Sequence, residues 1–229
     1  MRKKTKILSV GGSIIIPKNG FNIPFLKEFK SLILSQVKKG DKFILVIGGG
    51  ATCRKYQNAA KQITSLTDDD LDWIGIHTTI YNAQFVRYMF KDFAYKHIIT
   101  DPTKKVRTSK PIIIAAGWKP GFSTDRDAVL LAQTYNAKEL YNLSNISYVY
   151  DKDPNIHPEA KKLEHIDWQT LRDEIVGHDW EPGKSAPFDP IASKDAQKFG
   201  MKVGILDGTK LEEVKKAIEG QPFRGTVVQ

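Results

Sequence analysis

Short runs of consecutive apolar residues alternate along this chain with longer stretches in which apolar positions return every three or four residues. The short runs suit strands buried on both faces, and they predict strands at Lys6–Val10, Phe43–Ile47, His97–Ile99, Pro111–Ala115, Glu139–Asn142 and Val203–Leu206. Between the first two lies Ile23–Lys39, where Leu26, Phe29, Ile33 and Val37 share one helical face, Pro24 suits the first turn and Gly40 ends the pattern. Further helices are predicted just after Gly50, over about Leu71–Phe90, over Asp125–Tyr135, from Asp189-Pro190 onward and over Lys210–Glu219. The alternation implies an α/β protein with a mainly parallel sheet. The aromatic content of Trp73–Phe93 fits either a core face or an interface.

The chain has 229 residues, 41% of them hydrophobic, enough for a substantial core, and its 17 Gly and 11 Pro give no low-complexity segment. Met1–Lys6 followed by the apolar Ile7–Ile16 superficially copies a signal peptide, but Gly11-Gly12-Ser13 interrupts the run, Pro17 closes it and no cleavage site follows. No apolar segment is long enough to cross a membrane, so no membrane partner is expected. The 35 basic against 26 acidic residues give +9, spread along the chain, which favours phosphorylated ligands. No nucleic-acid-binding motif accompanies that charge, and nucleic acid is not expected as a partner. Cys53 is the single cysteine, which excludes a disulfide framework and a multi-thiolate zinc site and places the chain in a reducing cytoplasm. The five histidines lack metal-ligand spacing, no G-x-S-x-G elbow occurs, and the Asp68–Asp70 run reads as a solvated turn and helix start. No protein-bound metal site and no hydrolase chemistry are indicated.

The clearest chemical signal is Phe43–Ile47 running into Gly48-Gly49-Gly50 and then a helical segment that carries Arg54. Glycines let backbone approach an oxyanion, a helix start offers free N–H groups, and an arginine adds paired hydrogen bonds to phosphate. Read alone, the triplet is equally a tight strand-to-helix turn. A second junction, Ser9-Val10-Gly11-Gly12-Ser13, ends the first strand, and Gly117–Asp125 follows the Pro111–Ala115 strand. All three would lie at the carboxyl edge of one sheet, where open α/β folds bind ligands. Neither the P-loop nor the G-x-G-x-x-G pattern is present.

Taken in order, these segments resemble the amino acid kinase superfamily, most closely its archaeal-type uridylate (UMP) kinases. The resemblance is carried by Gly11-Gly12-Ser13 with Pro17, Gly48-Gly49-Gly50 with Arg54, Asp72–Ile76 with Asn82-Ala83, and Pro120–Asp125. It continues through Ser144-Asn145, Val149-Tyr150, Asp153-Pro154, Ala160–Lys162, Asp189–Ala192 and Gly225–Val228. The resemblance implies one domain over residues 1–229, a three-layer α/β/α sandwich, with residues 1–110 serving acceptor binding and oligomerisation and 111–229 mainly ATP. It implies phosphoryl transfer from ATP, with Mg2+, to UMP, in a homohexamer built as a trimer of dimers.

Carried over by residue, Ser9, Val10, Gly11, Gly12, Ser13, Gly49 and Arg54 would meet the ATP phosphates and the transferring group, and Ser144, Asn145, Tyr150 and Asp153 the adenosine. Gly48, Asp72 and the loop Lys119, Pro120, Gly121, Phe122, Ser123, Thr124 and Asp125 would hold UMP. Gly12, Asp189 and Lys194 would be catalytic. Transfer to a phosphate acceptor needs no histidine base, because the attacking oxygen is already anionic.

Several positions depart from the family. Ser9 stands where many members have a phosphate-binding lysine, so the charge must come from elsewhere: Lys194 first, then Lys184 and Lys6, unless all three are solvated surface lysines. Ser147-Tyr148 replaces an Asp-Gly pair, and Ile80 stands where an arginine often occurs. The competing readings are a relative with a carboxylate, carbamate or isopentenyl phosphate acceptor, and a non-catalytic nucleotide sensor or storage shell.

Overall fold

The computed structural model describes residues 5–179 and 186–229; Met1–Lys4 and Lys184 lie outside them. The first half comprises β1 (Thr5–Val10), α1 (Gly12–Ile15), α2 (Ile23–Lys38), β2 (Lys42–Ile47), α3 (Gly50–Ile63) and α4 (Asp68–Met89). Next come β3 (Ile112–Ala115), α5 (Thr124–Thr134), β4 (Glu139–Ser144) and the short strands β5 (Val149–Tyr150), β6 (Lys162–Leu163) and β7 (His165–Ile166). The turn α6 (Trp168–Thr170) continues as π-helix over Leu171–Val176, followed by α7 (Pro190–Lys198), β8 (Lys202–Asp207), α8 (Leu211–Ile218) and β9 (Thr226–Val228).

Seven strands form one sheet in the order β3-β2-β1-β4-β8-β9-β7, parallel except where β9 runs against β8. The chain begins in the middle of that sheet, moves outward through β2 and β3, and then crosses back to β4 on the other side of β1. This reversal opens a crevice at the carboxyl ends of β1 and β4, the place where open α/β sheets hold ligands. β5 and β6 make a separate antiparallel pair.

Alternation along the strands divides the core. Leu8, Val10, Phe43, Leu45 and Ile47 pack with α2, α4 and α8, whereas Ile7, Ile44, Val46 and Leu140 pack with α5 and α7. The result is the expected three-layer sandwich. The same period of two puts Ser9 and Asn142 on the α5 side, amid apolar neighbours.

The structure corrects several expectations. His97–Ile99 is not a strand: only Ala94 and Ile99 bridge to Ile112 and Ala115, because a bend at Lys96 and His97 breaks the pairing along the sheet edge. β9 was not expected, since Thr226–Val228 is too short to display a period. α4 starts earlier than the apolar pattern, at Asp68, because Thr67 and Asp70 close a reciprocal cap before the first apolar residue. On that helix Ala83 and Val86 are buried, as is Phe90 at its C-cap, while Tyr81 and Tyr88 are exposed, so the aromatics of this segment divide between core and surface.

Candidate active site

The two glycine turns close on each other at the switch point. Gly11 N–H donates to Leu143 O at 2.9 Å and Gly48 N–H donates to Val10 O at 3.0 Å, which ties the ends of β1, β2 and β4 together. A methyl group on Gly12 would come within 2.2 Å of Gly50 N and 2.4 Å of Gly48 O, and one on Gly50 within 2.4 Å of Gly12 C. Gly50 also has φ +64°, so this contact requires glycine on both sides. Buried Asn82 on α4 donates to Gly48 O and Gly49 O, both at 3.0 Å, and holds the second turn from beneath.

α3 starts at Gly50 with no side chain capping its first N–H groups, unlike α4, α5 and α7, which Thr67, Ser123 and Asp189 cap. Free donors and a positive dipole end therefore face the glycine cradle. Ser13 lies in α1 above it, and Arg54 is exposed one turn into α3. Burial raises the Cys53 thiol pKa, against the pull of Arg54 and with a push from Asp72, which places both charges around this helix start. The raised value keeps Cys53 a protonated structural thiol.

The Gly117–Ser123 loop is tied down at three points. Gly117 N–H donates to Thr79 Oγ1 at 2.8 Å, Trp118 N–H to Asp127 Oδ2 at 3.2 Å and Gly121 N–H to Asp72 Oδ2 at 2.7 Å. Between these points Lys119 Nζ lies 4.2 Å above the Trp118 ring and 4.8 Å from that of Phe122, and the Arg126 guanidinium covers Phe122 at 4.0 Å. Pro120 leads into Gly121, whose φ of +75° makes the turn, and Ser123 Oγ accepts from Arg126 N–H at 3.2 Å, which starts α5 at Thr124.

Beneath the loop, Asp125 Oδ1 accepts from Ser9 Oγ and Asn142 Nδ2, both at 3.0 Å. Burial pushes its carboxyl up to about 6, against the Ser9 hydrogen bond and with the neighbouring Asp189 charge adding to the rise. Asp189 caps α7 by accepting from Ala192 N–H at 2.6 Å, and Lys194 is exposed on the same helix. At the end of β4, Ser144 Oγ accepts from Ile146 N–H, with Asn145 exposed between them. Tyr150 pairs with Lys162 in the small sheet, and Asp153 is exposed and turns its carboxylate onto Asn155 at 2.9 Å and 3.0 Å.

The structure thus brings together Gly11, Gly12, Gly48, Asp72, Gly121, Asp125 and Asp189 around one sheet edge. Lys6 does not join them. It sits at the amino end of β1, where its Nζ pairs with Asp41 at 2.8 Å and reaches Ile218 O, so it is no substitute for the missing lysine. Sequence reasoning missed Asn142, Thr79 and Asp127 as parts of this region. The available signal was a polar residue at a position where strand or helix period calls for an apolar one. Among the described residues no group of three or more His, Cys, Asp or Glu side chains could cage a metal ion, and no helix is long and apolar enough to cross a membrane.

Residues 4–207 match the amino acid kinase family. A uridylate kinase of Thermococcus kodakarensis is 33% identical over 225 residues, covering 97% of this chain and 98% of that protein. Its counterpart from Thermococcus sibiricus is 32% identical with the same coverage. The crystal structure of uridylate kinase from Archaeoglobus fulgidus superposes with a TM-score of 0.81 at 27% identity, covering 99% of this chain and all of that one. The UMP kinase structure from Bacillus anthracis shares the fold at 19% identity, with a TM-score of 0.78.

Proposed function

Since the chain belongs to the amino acid kinase family, we propose that it is an ATP-dependent phosphotransferase that moves the γ-phosphoryl group of ATP onto UMP, giving UDP and ADP. The observation that carries this reading is the pair of glycine turns closed on each other at the switch point, with the acceptor loop latched to Asp72 beside them. Phosphoryl transfer asks for two anionic groups to be held in line while their charge is neutralised, and backbone N–H groups with arginine and lysine do both. The acceptor phosphate oxygen is already ionised, so the absence of a poised histidine base fits this chemistry.

In this reading Val10, Gly11, Gly12, Ser13 and Gly49 line the path of the ATP phosphates, with the Ser9 hydroxyl fixed beneath them on Asp125. Gly48 and Arg54 receive the acceptor and transferring phosphates. Asp72 binds ribose hydroxyls with the carboxylate oxygen left over from Gly121, and Lys119–Thr124 wraps the base. Ser144, Asn145, Tyr150 and Asp153 hold adenosine. Asp189 orders the γ-phosphate region and Lys194 supplies the cation that Ser9 does not. Residues 1–110 carry acceptor binding and oligomerisation, and 111–229 mainly ATP.

Mg2+ would be held by the ATP phosphates themselves, a mode that needs no protein cage, and would neutralise charge on the transferring group. The exposed Tyr81 and Tyr88 of α4 support assembly with further copies, which we place in the cytoplasm as a homohexamer of three dimers.

The test is ADP release from ATP and Mg2+ with UMP, CMP, dUMP, carbamate or isopentenyl phosphate offered singly. Turnover that follows UMP and falls by roughly a hundredfold in Arg54→Ala supports the assignment. Turnover with carbamate or isopentenyl phosphate in place of UMP overturns it.

A further inference from the structure

Asp127 has no role in the mechanism above, yet it is fully buried in the first turn of α5. One of its oxygens, Oδ2, accepts from Trp118 N–H at 3.2 Å; the other, Oδ1, is buried with no partner among the described residues. Among the described residues, the charged and titratable groups that face it are Asp125 and Arg126 on its own helix and Asp189 at the start of α7. Arg126 is committed elsewhere, its Nε on Asp195 Oδ2 at 2.9 Å and its guanidinium over Phe122. An ionised Asp127 would thus lack both water and a counter-ion while lying among other carboxylates. Burial accordingly lifts its carboxyl to about 8, only partly offset by the Trp118 hydrogen bond and Arg126.

The Trp118 amide is also where the acceptor loop leaves the sheet. Thr79 of α4 grips Gly117 from one side and Asp127 of α5 grips Trp118 from the other, so two helices fix the base of the loop whose tip is latched by Asp72. We propose that Asp127 is a positioning residue for the acceptor loop: through the Trp118 amide it sets where residues 117–123 depart from the sheet, and it does so as an uncharged carboxyl. Ionisation forces water into the loop base and loosens that departure point. The proposal rests on the reading of this loop as the acceptor site, and its effect therefore falls on the acceptor and not on ATP.

The experiment compares native protein, Asp127→Asn and Asp127→Ala by steady-state kinetics and by hydrogen–deuterium exchange of the ligand-free chain over residues 116–123. Truncation to alanine should raise KM for UMP roughly tenfold with little change in kcat or in KM for ATP. Between about pH 7 and about pH 9 the native protein should show a rising KM for UMP and falling loop protection, corrected for intrinsic exchange, as a buried acid ionises. Asparagine keeps the shape and the acceptor but cannot ionise, so Asp127→Asn should match the native protein at neutral pH and show neither change. An unaltered KM in Asp127→Ala, or a native pH response retained in Asp127→Asn, overturns the proposal. Should Asp127→Ala fail to fold, the comparison of native protein with Asp127→Asn still decides. Should the native protein not turn over UMP, the acceptor reading fails by itself. The exchange data then judge the loop: protection lost with rising pH in native protein but kept in Asp127→Asn supports the claim, and equal responses overturn it.

Discussion

Ser9 and Asn142 face each other across β1 and β4 and donate to the same oxygen of Asp125, each at 3.0 Å. Two donors on one half-buried carboxylate favour its ionised form against the desolvation that pushes its pKa up to about 6. Replacing Asn142 by leucine removes one of them, and the carboxyl should titrate higher. We expect the acid limb of the kcat profile to move upward in Asn142→Leu and turnover near neutrality to fall by roughly three- to tenfold. A pH–rate series on the two proteins checks this, and coincident acid limbs would show that Asp125 does not need its charge.

Asp127 also links pH to stability. Its folded value, about 8, lies above its ordinary 3.8, so the native state keeps a proton that the unfolded chain gives up. The contribution is therefore complete below the ordinary value and is lost as pH rises through about 8. Thermal melts should show native protein losing stability from about pH 4 to about pH 8 and levelling off above, while Asp127→Asn loses less over that range, by about a few kcal/mol.

The glycine turns make a steric prediction with an internal control. A Cβ at Gly12 meets backbone atoms at 2.2 Å and 2.4 Å, which cannot yield, so Gly12→Ala should abolish turnover and cost about 3 kcal/mol or more of stability. At Gly75, inside α4, a Cβ finds only Gln57 Nε2 at 3.5 Å and Cys53 Sγ at 3.6 Å. Gly75→Ala should keep the fold and gain up to about 1 kcal/mol through helix propensity. Denaturant melts of both variants test the contrast.

Much of the fold was legible because its strands are buried on both faces and its helices carry plain start signals. Phe43–Ile47 needs no partner to be read as a strand, and Asp189-Pro190 announces α7 by local chemistry. Thr226–Val228 was not legible, because three residues acquire their meaning only from Val203–Ile205 running alongside. In the site, the glycine turns could be read as an anion cradle but not as a mutually closed pair, a relation between loops 36 residues apart that only the β1–β2 register creates. Asn142 and Asp127 were hidden for the same reason: each looks like a misplaced polar residue until its tertiary partner is known.

Lys6 and Lys194, two of the candidates for the missing first-strand cation, separate by position. Lys6 is bonded to Asp41 at the far end of β1, so Lys6→Met should leave kcat unchanged and lower stability by about 1 kcal/mol. Lys194 lies on the helix that Asp189 opens, and Lys194→Ala should lower kcat at least tenfold with the fold intact. Kinetics beside melting curves for both variants check the assignment.

The central claim is transfer of phosphoryl to UMP, and phosphorus-31 NMR of native protein with ATP, Mg2+ and UMP reads the product itself. We expect the resonances of UDP to grow in step with those of ADP while free phosphate stays absent. ATP conversion to ADP and free phosphate without UDP, or bound nucleotides with no turnover, would contradict the account.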